Sequence, residues 1–169
     1  MPAAAIPPAI EVLVVDDNAD TRSLVVDFCT TFGFSVTQAH DGRAAITALL
    51  RTPGRFPVVL TDLNMPGAAG FEVLRVARAV HPGCYVVMIT GYATLDTALR
   101  AVREGAYDYL PKPFAMGQME ALINRILERM ALERENRALH ARLDAIADRL
   151  GRIEEMLIAQ HPRAEHPRR

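Results

Sequence analysis

This sequence of 169 residues has few cysteines, almost no net charge and no long apolar run. Its two cysteines, Cys29 and Cys84, lie in apolar surroundings without pairing or metal-ligand spacing, which predicts buried reduced thiols. The net charge of −1 provides no overall attraction to nucleic acid or to an acidic membrane. No apolar run approaches the roughly 18 residues of a membrane span. We therefore expect a cytoplasmic protein with neither a membrane segment nor direct DNA contact.

Lysine is the scarcest charged residue, because Lys112 stands alone among 18 arginines. Lysine carries a compact point charge, whereas arginine presents a planar fork, so its use here indicates that a point charge is needed. Lys112 follows a short apolar stretch, as do the pair Asp16 and Asp17 and, later, Asp62. Three carboxylates and one ammonium at the ends of buried strands indicate a site for Mg²⁺ and a phosphoryl group.

The chain alternates short apolar runs with helical patterns, which predicts βαβ units and a parallel sheet. Strands are predicted at residues 11–15, 34–39, 57–61, 85–89 and 107–110. Five such repeats predict an α/β, doubly wound, five-stranded parallel sheet of the flavodoxin-like (βα)₅ type, followed by a long carboxy-terminal helix. We expect a disordered leader over 1–10, a globular domain over 11–118, a long helix over 119–159 and a disordered tail over 160–169.

The sequence also predicts where the first two helices begin and which face of the first helix is buried. Asn18 or Asp20 is predicted to cap the first helix, and Asp41 the second. In the first helix the apolar residues Leu24, Val25, Phe28 and Phe32 are expected to form one inward stripe.

Polar residues follow four of the five predicted strands. Asp16, Asp17, Asp62, Thr90 and Lys112 come after strands one, three, four and five. In open α/β sheets, ligands bind outside the carboxyl ends of the strands, at the point where strand order reverses. These five side chains are therefore expected to meet at one edge of the sheet.

Four sequence motifs in this chain resemble those of a known protein family. They occupy residues 14–17, 61–67, 88–93 and 105–114, in order and at plausible separations. Over roughly residues 11–130, the chain resembles the receiver domain of two-component response regulators. Within that family it is most similar to receivers of the nitrogen-regulator class.

The resemblance implies a role for each acidic residue. Asp62 is the implied phosphoacceptor, which receives a phosphoryl group from a sensor histidine kinase. Asp17, Asp62 and the main-chain carbonyl of Asn64 are implied to bind Mg²⁺ directly, and Asp16 through a coordinated water. Purely structural roles stay open as alternatives, since Asp16 and Asp17 could be a solvated helix cap and Asp62 could initiate a turn.

The remaining implied roles concern catalysis and switching. Lys112 is implied to bind a phosphoryl oxygen, with a cis peptide bond to Pro113. Thr90 would hydrogen-bond the acyl phosphate, and Gly91 would leave room for the incoming group. Tyr109 matches the aromatic residue that turns inward when Thr90 moves toward the phosphate. As ordinary structure, Lys112 would be a surface lysine, Thr90 a strand-end residue and Tyr109 a half-buried strand aromatic.

A heptad pattern occupies the carboxy-terminal helix from about residue 129. Position d holds Leu132, Leu139, Ile146 and Ile153, and position a holds Asn136, Leu143, Leu150 and Leu157. Leu122 and Arg129 extend the a series backwards more weakly. An Asn at one a position favours a parallel dimer, whereas Leu at a with Ile at d leans toward higher oligomers. We favour a homodimer through this coiled coil; the alternative is a helix that folds back onto its own domain.

Three functions compete at this point. The first is a phosphorelay response regulator that catalyses only its own phosphorylation and dephosphorylation. Its output would be coiled-coil dimerisation, or docking of a downstream protein on the face of the fourth helix, fifth strand and fifth helix. The second is a coiled-coil adaptor whose receiver fold is not phospho-regulated. The third is an aspartyl-phosphate phosphatase of haloacid-dehalogenase type, which would need a second Asp where Asn18 stands.

The nitrogen-regulator class also joins its receivers to an AAA+ ATPase and a DNA-binding domain. No Walker A sequence and no helix-turn-helix pattern occurs in these 169 residues. ATPase and promoter-activating functions are therefore not carried over, and the chain could also be a fragment of a larger regulator.

Overall fold

The structure, a computed structural model, describes residues 9–67 and 69–160. Most of the predicted leader and nearly all of the predicted tail lie outside these residues. The elements in chain order are β1 (Glu11–Val15), α1 (Ala19–Thr31), β2 (Ser35–Ala39), α2 (Gly42–Arg51), β3 (Val58–Thr61), α3 (Gly70–Val80), β4 (Tyr85–Thr90), α4 (Leu95–Arg103), β5 (Asp108–Pro111) and α5 (Met116–Gln160). The strict alternation of strand and helix confirms the predicted fold class.

All five strands are parallel and lie in the order β2-β1-β3-β4-β5. The chain moves from β1 to one neighbour, β2, and then crosses to the other side of β1 to form β3. The order therefore reverses beside β1, and a crevice opens where β1 and β3 end. The doubly wound five-stranded sheet is as predicted.

The three central strands are covered on both faces. Every residue of β3 and β4 is buried, as is β1 from Val12 to Val15. Their β-branched side chains suit a pleated, fully buried strand. On one face, Leu13 packs in a cluster with Leu49 of α2 and Leu74 of α3. Each such side chain stabilises the fold by about 1.5–3 kcal/mol, so the strand ends have a rigid base.

The inward face of α1 differs from the prediction. Val25 and Cys29 are its buried residues, whereas Leu24 is 49% exposed. Adjacent residues in a helix point about 100° apart, so Leu24 and Val25 cannot both face the sheet. Phe28 and Phe32 are half-buried, and their ring centroids lie 4.9 Å apart.

Of the two residues predicted as caps of α1, Asn18 is the cap and Asp20 lies inside the first turn, and Asp41 caps α2 as predicted. The Asn18 side chain accepts a hydrogen bond from the Thr21 N–H at 2.9 Å, and that of Asp41 accepts one from Ala44 at 2.7 Å. Both helices therefore begin where their first orphan N–H groups find a side-chain acceptor.

The chain divides into two compact units, residues 1–119 and 120–169. Helix α5 runs through the division and begins at Met116, three residues before its predicted start at 119. Within α5, Leu122, which extends the a series only weakly, is 2% exposed and so is not available to a second helix; the exposed leucine and isoleucine positions begin at Leu132. None of the described helices is both long and apolar enough to cross a bilayer.

Candidate functional site

Three of the predicted site residues lie one position beyond a strand end. The N–H of Asp62 donates to the Val15 carbonyl at 2.8 Å, and that of Lys112 to the Thr90 carbonyl at 2.8 Å. The N–H of Asp16 donates to the last residue of β2 at 3.2 Å. These bonds continue the ladders of the sheet, so the three side chains project from one edge of a rigid platform.

Lys112 bridges two carboxylates. Its Nζ lies 2.7 Å from Asp16 Oδ2 and 2.7 Å from Asp62 Oδ2. The side chains of Lys112, Asp16 and Asp62 are 18%, 5% and 11% exposed. Burial of the ammonium lowers the pKa of Lys112, but the hydrogen bonds and negative charges of the two aspartates outweigh burial and raise that pKa above its usual value. Lys112 therefore stays charged at neutral pH.

The three aspartates form an acidic pocket. One carboxylate oxygen each from Asp16, Asp17 and Asp62 lie within 4.8 Å of one another. Three carboxylates against the single ammonium of Lys112 leave a formal charge of −2, which a divalent cation would balance. Carboxylate oxygens are hard ligands, and Mg²⁺ needs few of them because it keeps several waters. The pocket is therefore compatible with Mg²⁺.

Asn64 lies beside this pocket through a local turn. Its N–H donates to Asp62 Oδ1 at 3.2 Å, which holds the loop after β3 close to the carboxylate. The role implied for the Asn64 carbonyl as a metal ligand stays a prediction.

Thr90 is the last residue of β4 and is completely buried. Its hydroxyl accepts a hydrogen bond from the Tyr92 N–H at 3.1 Å, so its own proton is available for another acceptor. At Gly91, an added Cβ would meet no atom within 4 Å, so the space expected there is present. The bond from Thr90 to an acyl phosphate stays a prediction.

Tyr109 is half-buried on β5, as both its functional and its structural interpretation require. Its hydroxyl lies 2.8 Å from Thr97 Oγ1 on α4. The Lys112–Pro113 peptide bond is cis, as the resemblance implied.

Two residues that shape the site were not singled out in the sequence. Gly70 begins α3, where an added Cβ would lie 2.1 Å from the Asp62 carbonyl oxygen. Only glycine permits that approach, and no local pattern marks it because the contact forms through the folded loop. Arg22 donates from a guanidinium nitrogen to the Asp16 carbonyl at 2.7 Å. Its one sequence signal is its place four residues after the cap Asn18.

Comparison with known proteins assigns the family. The response regulator receiver domain model matches residues 12–124. The chain belongs to the response regulator receiver domain family. The resemblance that was inferred from four motifs is thereby confirmed, and phosphorylation-dependent signalling is the function that this family implies.

Its relatives include longer regulators. The nitrogen assimilation regulatory protein NtrX of Azorhizobium caulinodans is 34% identical over 134 residues, which are 78% of this chain and 29% of that protein. The crystal structure of NtrX from Brucella abortus is 34% identical with a TM-score of 0.69, and the match covers 78% of this chain and 29% of that one.

A shorter relative is covered over almost its whole length. A response regulator receiver domain protein from Clostridium thermocellum is 28% identical with a TM-score of 0.67, over 73% of this chain and 98% of that chain. By contrast, the chain spans only 24% to 33% of the length of the curated relatives that it matches. The receiver part is thus what these proteins share with it.

Proposed function

We propose that this receiver accepts a phosphoryl group on Asp62 from a sensor histidine kinase, with Mg²⁺ bound in the acidic pocket. The observation that carries the proposal is the double contact of Lys112 with Asp16 and Asp62 at 2.7 Å. A partly buried lysine between two buried carboxylates holds the nucleophile and its electrostatic partner together before any donor arrives.

The transfer would form one bond and break another. The N–P bond of the donor phosphohistidine breaks, and its electron pair stays with the imidazole nitrogen. An oxygen of Asp62 forms the new O–P bond, which yields an acyl phosphate. When bound, Mg²⁺ would neutralise and orient the phosphoryl oxygens. Because Lys112 already lies against Asp62, it would contact a phosphoryl oxygen after only a short movement of its flexible stem.

An apolar groove beside the acidic pocket supports docking of the kinase. Its cavity of about 360 Å³ is lined by Thr21, Leu24, Lys112, Pro113 and Phe114. Leu24, which lies outside the core, thus joins Pro113 and Phe114 at the entrance to the site. An apolar surface next to a reactive group suits a protein donor, because the donor needs contacts that orient its histidine.

The exposed heptad residues of α5 support a coiled-coil homodimer as one output. The seven leucine and isoleucine side chains at the a and d positions from Leu132 to Leu157 are 52% to 62% exposed. In a parallel, in-register pair, Asn136 would face Asn136 of the second copy, which satisfies its amide. Arg149 at g would also lie near Glu154 at e of the other helix, a pairing of opposite charges. These features favour a parallel dimer.

A second exposed apolar surface lies on and before α4. Tyr92, Leu95 and Val102 are each more than 70% exposed, and Leu99 is 45% exposed. Because only a short loop separates Thr90, the last residue of β4, from α4, this surface is suited to a phosphorylation-sensitive docking face for a downstream protein.

Two further properties belong to the proposal. The chain would catalyse only its own phosphorylation and dephosphorylation, so it should not turn over generic phosphomonoesters. A cytoplasmic location is supported by Cys29 and Cys84, which are both buried and unpaired, as in a reducing compartment.

The test measures molar mass by light scattering, with and without beryllofluoride and Mg²⁺. Wild type should bind beryllofluoride and change its mass or shape, and the Asp27→Ala variant, altered at an exposed carboxylate of α1, should respond in the same way. Asp62→Ala should show no response. A wild-type chain without Mg²⁺-dependent binding would favour the unregulated adaptor. Binding with a constant dimer mass would make the coil a fixed scaffold and assign the output to the α4 surface.

A further inference from the structure

Tyr109 is joined to the first turn of α4 by a hydrogen bond to Thr97. We propose that Thr97 is a positioning residue of the switch, whose hydroxyl latches Tyr109 in the resting arrangement. This inference rests on the proposed function, because it concerns how the receiver responds when Asp62 is modified. The two hydroxyl oxygens lie 2.8 Å apart, and both side chains are half-buried.

Four polar atoms surround the Thr97 hydroxyl. Thr97 Oγ1 lies 3.0 Å from the nitrogen, the carbonyl oxygen and the hydroxyl of Thr94. The fourth partner is the Tyr109 hydroxyl, 2.8 Å away. The Thr94 N–H only donates and the Thr94 carbonyl only accepts, whereas each hydroxyl can do either. Tyr109 is therefore held by a hydroxyl that is itself fixed in the first turn of α4.

The latch is connected to the phosphorylation site through a short loop. Thr94 caps α4, since its hydroxyl accepts the Thr97 N–H at 3.1 Å. Only residues 91–93 separate Thr94 from Thr90, whose own hydroxyl holds the Tyr92 N–H. A movement of Thr90 toward Asp62 would pull this loop and displace the capped turn that holds Tyr109.

One hydrogen bond matters here because α4 is weakly anchored. Within the described helix, Ala101 is the only buried residue. Arg100 adds a contact at the other end, 3.9 Å from the centroid of the Phe71 ring, and pairs with Glu104 at 2.6 Å. The N-terminal turn is held chiefly by the Thr94–Thr97 capping box and by the bond to Tyr109. Loss of that bond therefore favours the switched arrangement.

The consequence is measurable as ligand affinity. A ligand that prefers the switched arrangement binds with an affinity reduced by the fraction of molecules that are competent for it. Removal of a net hydrogen bond worth the usual amount should raise the apparent affinity for beryllofluoride about 2- to 10-fold.

The experiment titrates beryllofluoride into the full chain at saturating Mg²⁺ by calorimetry. Thr97→Val and Tyr109→Phe should each tighten binding about 2- to 10-fold. The double variant should bind no more tightly than Thr97→Val, which also loses the hydrogen bond from the Thr94 N–H. Thr97→Ser, which keeps the hydroxyl, should bind like wild type. Tyr107→Phe, which removes a phenol outside the latch, serves as the matched control and should also bind like wild type.

Two results would overturn the latch. One is a double variant in which the two single effects multiply, because the groups would then act independently. The other is unchanged affinity in both single variants while wild type binds and Asp62→Ala does not. A wild type that fails to bind, or an Asp62→Ala variant that binds equally well, would instead contradict the proposed function itself. Thermal unfolding of each variant separates a loss of fold from a loss of the latch.

Discussion

The site edge of the sheet and the distal part of α5 depart from ordinary burial in opposite directions. At the site, Asp16, Asp62 and Lys112 are charged and yet at most 18% exposed at their side chains. On the distal helix, apolar residues such as Leu143 and Ile153 are more than half exposed. The first group finds its partners inside one chain, whereas the second stays exposed among the residues that the structure describes. The contrast distinguishes a site that the fold completes from a surface that a second copy would complete.

The free energy that stabilises each region also has a different source. A buried charge without a partner costs several kcal/mol, so the two aspartates depend on Lys112 or on a cation. An exposed leucine costs little in the monomer, yet its burial in a dimer yields about 1.5–3 kcal/mol. Charge balance therefore governs the first region and association governs the second.

The largest expected effect comes from placing charge in the heptad series. Leu143→Asp with Leu150→Asp should weaken association at least about 100-fold, because four apolar side chains of the dimer lose their burial. Sedimentation equilibrium measures the change. Ala145→Asp, at an outer position of the same helix, should associate like wild type. If the double variant stays dimeric, the helix is not the interface.

A pair of glycine substitutions compares backbone space in the two regions. Gly70→Ala should destabilise the fold by about 3 kcal/mol, because a Cβ would lie 2.1 Å from the Asp62 carbonyl. Gly151→Ala should instead stabilise α5 by up to about 1 kcal/mol, since nothing lies within 4 Å of its Cβ. Urea unfolding measures both. Equal effects of the same sign would contradict the assignment of close approach at Gly70.

Removal of the lysine charge should have a smaller effect on the stability of the fold. Lys112→Met leaves Asp16 and Asp62 facing each other, so stability without Mg²⁺ should fall by about 1–3 kcal/mol. The pocket charge changes from −2 to −3, so Mg²⁺ should bind more tightly and restore part of the loss. Calorimetric Mg²⁺ titration and urea unfolding test this. Unchanged Mg²⁺ affinity would mean that the charge of Lys112 does not affect cation binding in the acidic pocket.

The smallest effect concerns the buried thiols. Burial raises the pKa of Cys29 and of Cys84 to about 12 from a usual value of 9.0, with Arg78 opposing the shift at Cys84. The folded state thus holds the thiol proton more tightly, so this stability is complete below pH 9 and is lost between about pH 9 and 12. Alkylation at pH 8 should be slow until urea unfolds the chain. Rapid alkylation of the native chain would contradict the burial.

Much of the fold was predictable because its signals are local. The run from Val12 to Val15 marks a strand buried on both faces, and Asn18 marks the start of α1. The face of α1 was not predictable with the same accuracy, because Leu24 and Val25 offer equally apolar choices one position apart. Only the docked helix shows that Val25 faces inward.

By itself, the sequence determined the strands, the order of the polar residues that end them and the heptad spacing of α5, because each depends on neighbours in the chain. The tertiary structure decided the pairing of Lys112 with Asp16 and Asp62, which are 96 and 50 residues away. It also decided the close approach at Gly70 and the bond from Tyr109 to Thr97. These contacts join residues of different strands and helices. They therefore exist only once the sheet has formed and the carboxyl ends of its strands lie side by side.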